Sequence, residues 1–131
     1  MMIWAAAAAA LFNLVCTGTR HTESVYHKKN EPFSYTYRFD LDRKIFCDGD
    51  CHATRPIPAV LPTRLRLTDD RVDNAAMSVS DFVYIDRQTG EFHGTYTYVS
   101  MRDRNGLLLI KSTGHCERVD FTGFPVIENK F

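Results

Sequence analysis

Residues 34–42, with the sequence SYTYRFDLD, carry the clearest structural pattern in the chain. Apolar side chains alternate strictly with polar ones, and the apolar positions are Tyr35, Tyr37, Phe39 and Leu41. Successive side chains of a β-strand point to opposite faces, so this alternation places one face on a core and the other in water. The segment predicts a half-buried antiparallel strand, and it makes an all-β protein the first hypothesis.

Turn-forming segments occur at intervals that suit short strands. Asp42-Arg43-Lys44 precedes an apolar return segment, Asp86–Gly90 ends in a glycine placed for a left-handed backbone, and 102–106 ends in Asn-Gly, a strong hairpin signal. Successive hairpins predict an antiparallel meander that forms a small barrel or sandwich after an N-terminal apolar leader helix. The other strands are predicted at 12–20, at 61–67, at 77–86, at 92–98 and at 107–119.

Three segments lack a clear strand pattern. Residues 21–33 are polar and end in Glu31-Pro32, which predicts a loop or an irregular edge. Residues 69–76, DDRVDNAA, predict a loop or one short helix. The C-terminal FTGFPVIENKF, residues 121–131, is expected to pack as a strap over one end of the sheet.

The composition is that of an ordinary globular domain. The chain has 131 residues, of which 44% are hydrophobic, so one domain with its own core is expected. Its 16 basic and 16 acidic residues cancel, and the basic residues are scattered along the chain. Nucleic-acid binders normally gather an excess of Lys and Arg on one face, so we expect no nucleic-acid partner.

The N-terminal residues 1–15, MMIWAAAAAALFNLV, are apolar and uncharged. This segment has the length of a signal peptide and is too short to span a bilayer. We expect a leader over residues 1–10, with residue 18 as an alternative end, followed by a single all-β domain over 11–131. The protein is therefore predicted to be exported, periplasmic or secreted, with no transmembrane span in the mature chain. A hydrophobic helix that stays attached is the alternative.

The four cysteines predict two disulfides if the chain is exported. Three pairings are open, and we favour Cys47–Cys51 with Cys16–Cys116. An extended chain would separate the Cα atoms of Cys47 and Cys51 by about 13 Å, too far for a disulfide. The chain must therefore fold back between them, which Gly49 permits.

The segment 47–52, CDGDCH, is the first candidate for a metal site. Asp48, Asp50 and His52 are weak candidates, because calcium loops usually offer more carboxylates than this. A zinc site would need reduced thiolates, which an oxidising compartment disfavours. Its ligands would be Cys47, Cys51, His52, His115 and Cys116. We expect no metal and no cofactor.

Signs of catalysis are few. Glu91 and His93 share one strand face and could act as a base and its orienting group, but a solvent-facing polar stripe accounts for them equally well. No G-x-S-x-G, phosphate loop or dinucleotide fingerprint is present. The sequence predicts a protein without enzymatic activity, with a small hydrolase as a second alternative.

Aromatic residues on the predicted strands suggest a ligand cavity. Small up-and-down barrels can hold one apolar molecule. In a chain this short a filled aromatic core is the favoured alternative. The candidate lining residues are Tyr35, Tyr37, Phe39, Phe82, Tyr84, Tyr96 and Tyr98.

Four segments are similar to a group of small exported bacterial β proteins with no assigned function. They are LVCTGT at 14–19, YRFDLDRKIFC at 37–47, IDRQTGEF at 85–92 and GHCERVDFTGFPVIENKF at 114–131. The resemblance implies export and an all-β fold, and it implies no activity. The leading hypothesis is an exported binding or structural protein of the cell envelope. A lipocalin-like carrier of a small apolar ligand is the alternative.

Overall fold

The computed structural model describes residues 10–103 and 106–125, which form nine strands in one antiparallel sheet. The strands, in chain order, are β1 (Leu11–Ser24), β2 (Lys28–Asp40), β3 (Ile45–Asp48), β4 (Arg55–Pro56), β5 (Ala59–Val60), β6 (Arg64–Asp73), β7 (Met77–Asp86), β8 (Glu91–Ser100) and β9 (Leu107–Val119).

The sheet consists of two meanders joined through their outermost strands. Its order is β4-β3-β2-β1-β9-β8-β7-β6-β5, so β1 pairs with β9 and every other neighbour is also a neighbour in the chain. The two ends of the sheet, β4 and β5, are separated in the chain only by Ile57-Pro58. The result is a sheet curled into a half-barrel. The predicted all-β antiparallel class is confirmed. Of the two predicted forms, barrel and sandwich, the single curled sheet is the more similar to a barrel, which it half completes.

The half-barrel has two unlike ends. We call the end that carries the β2–β3 and β7–β8 hairpins the lower end, and the end that carries the β1–β2, β6–β7 and β8–β9 hairpins the upper end. Strand β3 pairs with β2 only over residues 37–40, and β5 pairs with β6 only over 65–66. The upper parts of β2 and β6 are therefore free edges in the described chain. Pro32, which lacks a backbone donor, lies on such an edge, where proline is tolerated.

The core follows from the period-two alternation of the strands. On β2 the inward positions are Phe33, Tyr35, Tyr37 and Phe39, as the sequence pattern predicts. The largest fully buried side chains are aromatic or branched and come from strands across the whole sheet: Phe39, Phe46, Leu65, Ile85 and Phe92. Their rings pack with centroids about 5–6 Å apart, for example 5.9 Å for Phe39 and Phe46. The middle of the half-barrel is thus solid.

Both predicted disulfides are confirmed. Cys16 and Cys116 are direct cross-strand partners of β1 and β9, with a Cα–Cα distance of 3.9 Å. Cys47 and Cys51 are 5.2 Å apart at Cα, and the chain folds back at Gly49, whose φ is +58°. The first disulfide crosslinks the joint between the two meanders, and the second closes a loop beside β3.

Two predictions of irregular structure were wrong. Residues 21–33 belong mostly to β1 and β2, which are joined by a tight turn in which the Ser24 amide donates to the His27 carbonyl. Residues 69–76 are neither a loop nor a helix up to Asp73, because β6 continues to that residue before turning. Both segments lie at the open upper end, where polar side chains occupy both faces of the strand and hide its period.

Parts of the predicted termini lie outside the described residues. This applies to 1–9 of the leader helix, to 126–131 of the C-terminal strap and to 104–105 of the last hairpin. Ala10 is buried, and its carbonyl accepts a hydrogen bond from the Leu41 amide at 2.9 Å. At the other terminus the Asn13 amide donates to the Thr122 hydroxyl at 2.9 Å. In the described part of the chain, no helix is long and apolar enough to cross a membrane.

Candidate ligand-binding cavity

A cavity of 520 Å³ opens above the solid middle of the half-barrel. Its volume lies in the range of small-molecule sites, about 300–1,000 Å³. Strands β1–β4 and β6–β9 all contribute to it. Its apolar wall consists of Tyr35, Tyr37, Phe46, Leu67, Phe92 and Tyr96 together with Val83 and Ile110.

Two features of the sequence create this space. Strand β3 is only four residues long, so the wall between β2 and β6 is missing above Asp48. Gly94 lines the cavity from β8 and has no side chain to fill it. A Cβ at Gly94 would be 3.5 Å from Phe92 Cε1 and 3.6 Å from Ser112 Cβ, both ordinary contacts. The glycine therefore leaves room rather than relieving a clash.

The cavity also has a side opening. A pocket of 230 Å³ lies between the β4 segment and β6 and shares Phe46, Arg55, Leu67 and Thr68 with the cavity. This is the place where the two ends of the sheet fail to pair. A ligand can therefore reach the interior from the side as well as from the upper end.

Two arginines line the cavity, and each has an anionic partner. The Arg20 guanidinium donates to the Tyr35 hydroxyl and lies 3.7 Å from a Glu31 carboxylate oxygen. Arg55, which lines both the cavity and its side opening, donates from Nη2 to Asp48 Oδ2 at 3.0 Å. These pairs neutralise both cations within the wall itself.

The Asp81 carboxylate also lines the cavity and is half-buried. No hydrogen bond or ion pair joins it to any residue within 10–103 or 106–125. Its direct partner across β6–β7 is Asp70, and its partner across β7–β8 is Tyr96. Burial raises the pKa of Asp81, and the like charge of Asp70 raises that pKa further.

Tyr37 provides a second polar group in this interior. Burial is the main cause that raises the pKa of its phenol, and the nearby Asp48 carboxylate adds to that shift while Arg55 opposes it. The phenol therefore stays protonated and keeps its O–H donor. The site thus combines ring faces, hydroxyl groups and one unpaired carboxylate.

The structure places the predicted cavity residues in four environments. Tyr35, Tyr37 and Tyr96 line the cavity. Phe39 is fully buried in the core, and Tyr98 shares the inward face of Tyr96 but lies nearer the upper end. Phe82 and Tyr84 alternate with the inward residues of β7 and face outward.

Arginines on the neighbouring strand cover those two outward rings. The guanidinium of Arg66 lies 5.5 Å from the Phe82 ring centroid, and that of Arg64 lies 4.0 Å from the Tyr84 centroid. His93 stacks on Tyr84 with centroids 4.9 Å apart. These aromatics thus form a layer on the outer surface with the arginines and His93.

The metal and catalytic candidates lie outside the cavity, with one exception. In the described chain no three His, Cys, Asp or Glu side chains come together as metal ligands. Asp50 and His52 are exposed, whereas Asp48 faces the cavity and pairs with Arg55. All four cysteines form disulfides, so the zinc set Cys47, Cys51, His52, His115 and Cys116 offers no thiolate.

Glu91 and His93 do contact each other, at 3.5 Å between Oε2 and Nε2. They lie on the outer face of β8, because they alternate along the strand with Phe92 and Gly94, which line the cavity. The pair is therefore separated from the cavity by the sheet itself.

Sequence reasoning missed the charged residues of the cavity, chiefly Arg20 and Asp81. The alternation of β1 and β7 contains the signal that could have found them. Arg20 lies on the same face of β1 as the inward residues Leu14 and Cys16, since even steps along a strand stay on one face. Asp81 lies on the same face of β7 as Val83. A charged residue at an inward position of a half-buried strand is unusual, so its position in the alternation is enough to identify it from the sequence.

A second, smaller pocket of 260 Å³ lies at the lower end, below the solid middle. It is lined mainly by apolar residues, including Leu14, Leu41, Leu65 and Ile85. The Arg118 guanidinium lies 4.5 Å from the Phe12 ring centroid at its edge. Among the described residues, Phe12 is its one aromatic lining residue, so it lacks the aromatic wall of the upper cavity.

Comparison with protein-family models finds no match to this chain, and comparisons with curated proteins and with solved structures find no similar chain either.

Proposed function

We propose that the protein binds a small amphipathic molecule in the half-barrel cavity and has no catalytic role. The observation that carries the proposal is the 520 Å³ space above a fully packed aromatic middle. Empty volume of this size forgoes packing contacts that the rest of the core makes. A bound ligand would supply them. The mixed wall favours a ligand with both apolar and polar groups over the purely apolar one expected from the sequence.

Two other roles were expected from the sequence. A structural or protein-binding role in the cell envelope accounts for the fold but gives no reason for the cavity. A hydrolase draws little support from the Glu91–His93 pair, since that pair lies on the outer face of β8. The carrier-like role therefore has the stronger argument.

Binding to the cavity can be tested with the neutral fluorophore N-phenyl-1-naphthylamine, whose emission rises in apolar surroundings. We expect saturable binding to the wild-type protein. Gly94→Leu should weaken it at least tenfold, because the new side chain projects into the cavity. Thr97→Leu, on the outward face of the same strand, is the matched control and should bind as the wild type does.

Circular dichroism and thermal unfolding would establish that both variants are folded. Absence of saturable binding to the wild type, or equal binding by the wild type and Gly94→Leu, would contradict the proposal.

We further propose that the chain is exported. Two disulfides are typical of proteins that fold in an oxidising compartment, and the apolar N-terminal residues 1–10 suit a signal peptide. The resemblance to small exported bacterial proteins supports the same location. The intact mass of the protein from an exporting bacterial host, purified without reductant, tests this. We expect loss of a leader and of four hydrogens, and a full-length reduced mass would refute it.

A further inference from the structure

The Asp81 carboxylate is the charge in the cavity that the described protein leaves without a partner. Half-buried carboxylates are normally paired or hydrogen-bonded, because removing a charge from water is costly. Each arginine of the wall forms an ion pair within the protein, Arg20 with Glu31 and Arg55 with Asp48. Asp81 is therefore the group whose charge remains for a ligand to neutralise.

The surroundings of Asp81 increase its preference for a cation. Asp70 lies directly opposite it on β6, and like charges at such positions repel each other. Arg20 donates a hydrogen bond to the Tyr35 hydroxyl and forms an ion pair with Glu31, and it does not pair with Asp81. A positively charged group beside Asp81 would relieve the repulsion from Asp70 as well as pair with the carboxylate.

The aromatic wall favours the same kind of group. Tyr96 is the cross-strand partner of Asp81 on β8, and the rings of Tyr35, Tyr37 and Phe92 line the same cavity. The Tyr37 and Phe92 ring centroids are 6.3 Å apart, and those of Tyr35 and Phe92 are 5.9 Å apart. Aromatic faces attract ammonium groups through their quadrupoles, and they also pack against flat apolar bodies.

We propose that the ligand of the cavity carries a cationic nitrogen, an amine or a quaternary ammonium, attached to an apolar body. Asp81 is its counter-ion, and the rings of the wall hold the apolar part. The inference rests on the proposed function, since it names the ligand class of the same cavity.

Three indole probes that share a flat apolar body but differ in charge test the inference. They are tryptamine, a cation, tryptophol, which is neutral, and indole-3-acetate, an anion. Binding to the full chain would be followed by isothermal titration calorimetry, because Trp4 emits in the same range as the indole probes. We expect tryptamine to bind at least tenfold more tightly than tryptophol, and indole-3-acetate to bind most weakly.

Two variants assign this preference to a residue. Asp81→Asn should remove the advantage of tryptamine and leave tryptophol binding within about twofold of the wild type, since an uncharged amide keeps the shape. Asp73→Asn is the matched control. Asp73 is exposed, pairs with Arg71 at 2.8 Å and lines neither the cavity nor its side opening, so the tryptamine preference should persist.

Equal binding of tryptamine and tryptophol, or a preference that survives Asp81→Asn, would overturn the inference. Tighter binding of indole-3-acetate would overturn it in favour of an anion held by Arg20. In these cases the cavity would still be a binding site, because tryptophol binding and its loss in Gly94→Leu do not depend on charge. Failure of all three probes to bind the wild type would count against the proposed function itself.

Discussion

The lower and upper halves of the half-barrel share the six long strands β1, β2 and β6–β9 but differ in their interiors. In the lower half the curled sheet includes all nine strands, and its interior is mainly apolar, with Phe39 and Phe46 almost fully buried above the smaller pocket of 260 Å³. In the upper half β2 and β6 are free edges, and the interior contains Arg20 and Asp81. One short strand, β3, therefore separates a mainly apolar interior from an open cavity that contains charged side chains.

The physical basis of the difference is strand length. Where β3–β5 complete the curl, inward side chains such as Phe39 and Phe46 pack against each other, and burial of apolar area stabilises the fold. Where they are missing, inward side chains face a space that water or a ligand can enter. Charged residues are tolerated there because their desolvation is incomplete.

The largest effect should come from the disulfide that joins the two meanders. Replacing both Cys16 and Cys116 by Ala opens a loop with a sequence separation of 100, and the chain-entropy model gives a loss of about 4.7 kcal/mol. Replacing Cys47 and Cys51 opens a separation of 4, for which the same relation gives about 2 kcal/mol. Urea unfolding of the two double variants measures the difference.

If removing the Cys47–Cys51 disulfide lowered the free energy of unfolding more than removing Cys16–Cys116, the loop beside the cavity would stabilise the fold more than the β1–β9 joint does. The wild type unfolded with and without reductant serves as the reference for both variants.

The second test contrasts two inward glycines. A Cβ at Gly18 would lie 2.1 Å from the Thr113 carbonyl oxygen, so β1 and β9 would have to separate. We expect Gly18→Ala to cost about 3 kcal/mol or more.

Gly94→Ala is the matched variant at the cavity wall. Its Cβ meets its neighbours at 3.5 Å or more, and its backbone is not left-handed, so we expect a gain of about 0.5 kcal/mol from the reduced freedom of the unfolded chain. Thermal unfolding of both proteins measures the contrast. Similar losses in the two variants would contradict the difference in packing between the β1–β9 joint and the cavity.

The smallest effect, with opposite signs in the two halves, concerns two aspartates. In the upper half, Asp81 faces Asp70, Tyr37 and Tyr96, and its pKa is raised by burial and then by Asp70. Its ionisation therefore costs stability as the pH rises from the unfolded pKa through the raised folded pKa. We expect Asp81→Asn to stabilise the protein by about 0.5 kcal/mol at pH 7, and this gain to disappear as the pH falls below the unfolded pKa of about 3.9, because the carboxyl group is then increasingly protonated in both states.

At the lower end, Asp86 Oδ1 accepts the backbone amides of Gln88 and Thr89 at 2.8 and 2.9 Å. The hydrogen bonds from those two amides hold the pKa of Asp86 below its usual value. Its carboxylate therefore stabilises the folded protein above the unfolded pKa, and this contribution is lost as the pH falls through the folded pKa. We expect Asp86→Asn to destabilise the protein at pH 7 and the loss to shrink in acid. Urea unfolding between pH 3 and 7 measures both variants, and the same sign for both would refute the assignment.

Local chemistry in the sequence was enough to predict the all-β class, the main hairpins and both disulfides. The alternation in 34–42, the glycine at residue 90 and the fold-back at Gly49 each act over a few residues, so each can be recognised without the rest of the chain. The same reasoning failed at 21–33 and 69–76, because strands at the open end are polar on both faces and have no hydrophobic period to detect.

The composition of the cavity depended on tertiary structure. Period two separates Phe82 and Tyr84 from Val83, but it does not say which set faces inward when both faces carry large apolar side chains. The direction in which the whole sheet curls decides that, and the sheet is completed only by pairing between residues far apart in the chain, such as those of β1 and β9. The alternation of the apolar strand segments was therefore encoded locally, whereas the cavity and the exposure of Asp81 to it arise only when distant strands assemble.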